Sequence, residues 1–311
     1  MCLINKVLKM KRLIIAIAAL AIGLAAYAGE IPGANITKDY NFKNFTGISV
    51  SGIVNVELKK SDTWGVSVNL PEEIVEYLVV GVKDNDLVIG FKSIPMKVQK
   101  HLKDWKVTAN ISMPLLAELE MSGATKFSTS DAFDIGERTF KMELSGAAKA
   151  RGLNITARGL KVEMGGAAGA DVTGLFDDVD IEMGGASRCD FNVSAIKLKQ
   201  DLSGAAKAYY TGDFNYVTLD ASGAGVFSIK GMVNKMKIDA SGAVKVETYD
   251  ADISDATAVF SGAAYGELNV LKSLAVDLSG GASVRYKDND GLDLDVISMG
   301  RGASLKRIPR D

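Results

Sequence analysis

Residues 200–225 read QDLSGAAKAYYTGDFNYVTLDASGAG. Within them Asp201-Leu202-Ser203-Gly204-Ala205 returns nineteen residues later as Asp220-Ala221-Ser222-Gly223-Ala224. A single copy of such a phrase suggests a site, whereas a spaced repetition suggests scaffold.

The repetition is extensive. The middle glycine recurs at Gly123, Gly146, Gly166, Gly185, Gly204, Gly223, Gly242 and Gly262, in steps of 23, 20, 19, 19, 19, 19 and 20 residues. Variants follow as LSGGAS around Gly280 and MGRGAS, which ends in Gly302-Ala303-Ser304. A period near twenty held to the end of the sequence marks a solenoid.

The columns around the glycine identify the solenoid. Two positions before it stand Met121, Leu144, Met164, Met183, Leu202, Ala221, Ala240, Phe260 and Leu278. The columns four and six before it are apolar as well, with one exception, Gln200. Three before it the column is acidic: Glu120, Glu143, Glu163, Glu182, Asp201, Asp220 and Asp239, then Val259, then Asp277. Alternation at period two is the pattern of a strand with one buried face, not of a helix. Twenty residues cannot hold two strands and a crossover helix. The expected fold is therefore all-β: a single-chain parallel β-helix of about 19–20 residues per coil, right-handed by the rule for parallel crossovers. Coils stacked at ~4.8 Å would make ten of them a rod about 48 Å long. Glycine suits the corner because it accepts positive φ and lets backbones approach closely.

Three segments are expected. Residues 1–28 read as a secretory signal: Lys6, Lys9, Lys11 and Arg12, an apolar run from Leu13 to Ala26, and an Ala26-Tyr27-Ala28 cleavage site. Met10 would serve equally well as the start. Residues 29–115 read as a β-rich cap with irregular opening coils. Ser51-Gly52 reads as a degenerate first corner, PEEIVEYL as one short helix, and VVGVKDNDLVIGF as two strands joined at Asp84-Asn85-Asp86. Residues 116–311 read as the regular repeat array. Lys306, Arg307, Pro309 and Arg310 would blunt its open edge.

Composition narrows the class. Hydrophobic residues are 47% and charged residues 24%, a globular balance. Export would leave Cys189 as the only cysteine, so no disulfide framework is expected. Removing residues 1–28 leaves 32 basic against 38 acidic residues, which gives no footprint for nucleic acid. No transmembrane segment is expected after signal cleavage.

The opening FKNFTGISVSGIVNVELKK and LVIGF, followed by ELSGAAK, DLSGAAK, DASGAGV and DASGAVK, resembles the auto-transporter adhesin, head-GIN domain family known mainly from Bacteroidetes. The resemblance spans residues 35–308. It implies a right-handed parallel β-helix related in shape to pectin-lyase-like folds, no catalytic residues, and an adhesive role inferred from that shape. Unlike an auto-transporter, the sequence shows no C-terminal segment patterned as a membrane barrel, so self-translocation is not expected.

The chemistry-bearing residues point the same way. The acids from Glu120 to Asp239, with Asp277, should form a surface ladder. Lys126, Lys149, Arg188, Lys207 and Lys245, three residues past the glycines, should pair with them across the corner. A Ca²⁺-gathering role is the sharper alternative, but the β-roll calcium signature is absent. The corner serines lack the base a nucleophile needs. The single histidine, His101, lies outside the repeats and has no evident ligand partners. Two Asp groups, 177/178/180 and 288/290/293/295, read as solvated turns rather than an acid–base pair for glycan cleavage. Cys189 falls in a small buried column. Tyr209, Phe214 and Tyr216, with Tyr249, Tyr265 and Tyr286, divide between core filling and stacking on sugar. No catalytic residue, cofactor or metal is assigned. The expected protein is an exported, non-catalytic, adhesin-like binder of the cell envelope, in the periplasm, at the outer membrane or on the surface. Its partner would be a glycan or a cell-surface protein. An envelope structural rod and a polysaccharide-active enzyme are the alternatives.

Overall fold

The computed structural model describes residues 34–100 and 105–309. The signal segment, its cleavage site, His101 and Arg310 lie outside them. The described residues form one 23-stranded sheet system wound into a β-solenoid of about ten turns.

Each regular coil has two walls joined by a tight corner. In one coil the strand Gly169–Met183 leads into the corner at Gly185, and the strand Arg188–Leu202 follows it. Every strand pairs in parallel with its counterparts in the neighbouring coils, so Met164 meets Met183, Met183 meets Leu202, and Leu202 meets Ala221. The inward columns are buried throughout, from Phe140, Met142 and Leu144 to Leu274, Val276 and Leu278. Full burial of such a side chain stabilises by roughly 1.5–3 kcal/mol. The repeated alternation therefore supplies the main apolar contribution that holds successive coils together.

The walls converge at the corner, and the core there is matched in volume. Where Leu202 precedes the corner, Ala206 and Ala208 follow it; where Ala240 precedes, Val244 and Val246 follow. Phe260 precedes a corner followed by Ala264 and Gly266, and a Cβ on Gly266 would lie 2.7 Å from the Phe260 ring. Large and small residues exchange sides so that the narrow end stays filled at native density.

The N-terminal part is a cap built around the first coil. Gly47–Gly52 and Val54–Lys60 form that coil and pair in parallel with Glu118–Gly123 and Lys126–Thr129 of the second. Between them the chain travels to the outer side of the first coil. There Asn35–Tyr40, Gly65–Pro71 and Val107–Met113 add antiparallel pairings on one wall, and the hairpin Leu78–Lys83/Asp86–Phe91 covers the other. The hairpin turn is Asp84-Asn85, with φ of 53° and 70°, the backbone a two-residue type I′ turn requires. PEEIVEYL forms a 3-10 helix, Glu72–Tyr77, whose Ile74 is buried. Antiparallel strands end the stack on this side, where one more parallel coil would leave an open edge.

Candidate functional site

The corner is a stacked β-turn. In Ser145-Gly146-Ala147-Ala148 the glycine takes φ +71° and the Ala148 amide bonds back to the Ser145 carbonyl. Positive φ at the first central residue alone is the type II′ arrangement. Gly123, Gly166, Gly185, Gly204, Gly223, Gly242, Gly262 and Gly280 share positive φ. The following residue donates its amide to the glycine carbonyl one coil back, as Ala224 does to Gly204 at 2.7 Å. A Cβ on Gly223 would stand 2.5 Å from that same oxygen. Both the dihedral and the contact thus demand glycine. Corner serines bond backbone: Ser203 donates to Met183 O at 3.2 Å and Ser241 to Ala221 O at 3.4 Å.

Gly302 departs from the expected equivalence. The last turn is Gly300-Arg301-Gly302-Ala303, closed by the Ala303 amide on Gly300 O at 3.2 Å. Arg301 occupies the position that glycine holds in every other corner. Positive φ passes to Gly302, at +92°, giving a type II turn. A side chain at the first central position excludes the II′ form, so the chain changes turn type.

The acids occupy one wall in unbroken register. Glu120, Glu143, Glu163, Glu182, Asp201, Asp220 and Asp239 pair residue by residue. Val259 then separates Asp239 from Asp277, so Asp277 stands apart from the ladder. Ser49 continues the row in the first coil and donates to Glu120 Oε2 at 2.8 Å.

For Glu163 and Asp201, compensation runs along the strand rather than across the corner. Lys161 lies 3.0 Å from Glu163, and Lys199 lies 2.5 Å from Asp201 and 3.7 Å from Asp180. Hydrogen bonding to these acids raises both lysines above their ordinary pKa. Of the bases expected to reach over, Arg188 forms a two-pronged pair with Asp190, and Lys245 pairs with Glu247 at 2.5 Å, both on the second wall. Pairing follows the strand instead of crossing the corner because side chains two apart on a strand share a face, whereas the corner turns its flanking strands onto different walls. Among the described residues no group of three or more acids, histidines or cysteines converges to hold a metal ion.

The second wall carries bases and tyrosines. Arg188 stacks on Tyr209 at 4.3 Å, Arg285 and Lys245 flank Tyr265 at 5.7 and 5.8 Å, and Lys287 lies 5.6 Å from the Tyr249 ring. Burial raises the Tyr249 phenol to about 12. Phe214 is core, whereas Tyr216 is exposed on the acidic wall. Cys189 is fully buried between Ala170 and Ala208, and burial pushes its thiol up to about 12. Sequence reasoning marked Gln200 as an exception but missed its partner. Tyr210, buried across the coil, donates to Gln200 Oε1, while Gln200 Nε2 donates to Asp201 O at 2.8 Å. A tyrosine in the inward column ten residues after the glutamine was the available signal.

Among the described residues no helix is long and apolar enough to cross a membrane. No curated protein matches the chain. A crystal structure of a "putative adhesin" from Parabacteroides distasonis superposes with a TM-score of 0.51 at 17% identity, over 89% of this chain and 98% of that one. A "putative adhesin" from Parabacteroides merdae gives a TM-score of 0.46 at 15% identity, over 89% and 97%. A "putative lipid binding protein" from Parabacteroides distasonis gives 0.47 at 15%, also over 89% and 97%. The first of these likenesses supports the fold. The profile of the family described as "Putative auto-transporter adhesin, head GIN domain" matches residues 44–209 and 179–289. The chain belongs to that family.

Proposed function

We propose that this protein is an exported, non-catalytic adhesin-like module of the bacterial cell envelope that presents one wall of its rod to a glycan or a surface protein. The observation that carries the reading is the row of acidic side chains, exposed or half-buried, held in register across successive coils, Glu120 through Asp239. Such a surface offers many weak, aligned contacts to an extended partner. An array of glycans and extracellular proteins probed with the chain from Gly29 onward tests it. Retention of a ligand that is recovered chemically unchanged is expected. Cleavage of the ligand, or binding to no member of a broad array, would overturn the reading.

A further inference from the structure

The acidic wall is interrupted by a groove of about 260 Å³. It lies across four consecutive coils. One of its rows runs Tyr216, Lys235, Asp255, Ser273, and the next runs Thr218, Lys237, Thr257, Ala275. Tyr216 is 47% exposed. The depression exists because its C-terminal end is built from small residues: Ala256, Thr257, Ser273 and Ala275.

Two lysines of the groove behave unlike their counterparts. Lys237 stands two residues before Asp239, the relation that pairs Lys161 with Glu163 and Lys199 with Asp201. Lys235 is in register with Asp255, as Lys197 is with Asp178, and that pair closes to 3.7 Å. Yet neither Lys235 nor Lys237 makes an ion pair or side-chain hydrogen bond among the described residues. Both are exposed, and both line the groove. The strand that carries Lys235 and Lys237 lies one coil spacing, ~4.8 Å, from the one that carries Tyr216 and Thr218. Two ammonium groups without a protein partner among the described residues thus line the groove beside a tyrosine and a threonine, and they are set to receive an anion.

The groove favours a sugar over a peptide. The strands beneath it already bond to neighbours on both sides, so an extended peptide would find no free backbone partners. The hydroxyls of Thr218, Thr257 and Ser273, the Asp255 carboxylate and the open Tyr216 ring supply what a pyranose needs: hydrogen-bond partners at its edge and a flat apolar face. We infer that this groove binds a carboxylate-bearing glycan lying along the rod, with Tyr216 stacking on a sugar ring and Lys235 and Lys237 holding its carboxylates. The inference rests on the binding reading above and adds the ligand class and the place.

Titration calorimetry with tetragalacturonate as the probe tests it. The unmodified protein is expected to bind, more weakly as salt rises. Lys235→Gln/Lys237→Gln and Tyr216→Ala should each lose at least about tenfold in affinity, while Lys207→Gln, on the other wall, should bind normally. Circular dichroism melting checks that the variants remain folded. Equal binding of a neutral galactan tetramer, or of poly-glutamate, would overturn the ligand class. Undiminished binding by the folded groove variants would overturn the site while leaving the binding reading intact. No binding of tetragalacturonate, with other ligands bound on the array, would overturn this inference alone.

Discussion

The Tyr210 phenol donates a hydrogen bond to Gln200 Oε1 across the interior of the rod, both side chains being buried. Removing the hydroxyl strands a buried acceptor. Tyr210→Phe should cost about 1–3 kcal/mol. Gln200→Leu/Tyr210→Phe should recover part of that loss, because the stranded side-chain acceptor is removed along with its donor, while Asp201 O gives up the bond from Gln200 Nε2. Urea denaturation of the two single variants and the double variant measures the coupling, and simple additivity would show that the bond does not hold this part of the core.

Volume matching at the corner gives a second expectation. Phe260→Ala should cost about 3–5 kcal/mol by opening a cavity. Gly266→Val alone should also destabilise, since its Cβ meets the Phe260 ring at 2.7 Å. Together they reproduce the Ala240/Val246 combination of the preceding coil and should melt above either single variant.

Glycine is required at the corner and not beside it. Gly223→Ala forces a left-handed backbone on alanine and a clash with Gly204 O, so a loss of at least ~2 kcal/mol is expected. Gly165→Ala sits one residue before a corner, with nothing within 4 Å of the new Cβ, and should be close to neutral. Thermal melting of the two variants side by side makes the comparison.

Cys189 should be silent until the rod opens. Its burial predicts resistance to iodoacetamide at pH 8 in the folded protein and rapid labelling in urea. The pH dependence has a definite sign. Between the thiol's ordinary 9.0 and the folded value of about 12, the unfolded chain releases a proton that the folded chain keeps. Stability therefore falls as pH rises through that window, by at most about 1.4 kcal/mol per unit for one group. Cys189→Ala should lose stability less steeply there.

The coil and its period could be read in the sequence because each inward column is a backbone periodicity repeated many times. Gly204 and Gly223 announce their corner, and Asp201 and Asp220 their common row, without knowledge of any contact. The remaining features depend on which way a side chain turns or on a single residue in one coil. Lys199 pairs with Asp201, whereas Lys237 lies in the groove instead of pairing with Asp239, and the columns do not distinguish the two. Arg301 changes the last turn through one substitution. The antiparallel strand Asn35–Tyr40 bonds to Gly65–Pro71, a pairing that alternation alone does not specify.

The proposed adhesive role requires the rod to face a partner outside the cell, and protease treatment of intact cells of the source organism tests that requirement most directly. Added protease should remove or shorten this protein on a blot while a periplasmic marker survives. Full protection until the outer membrane is permeabilised would contradict an adhesive role and leave a periplasmic structural rod in its place.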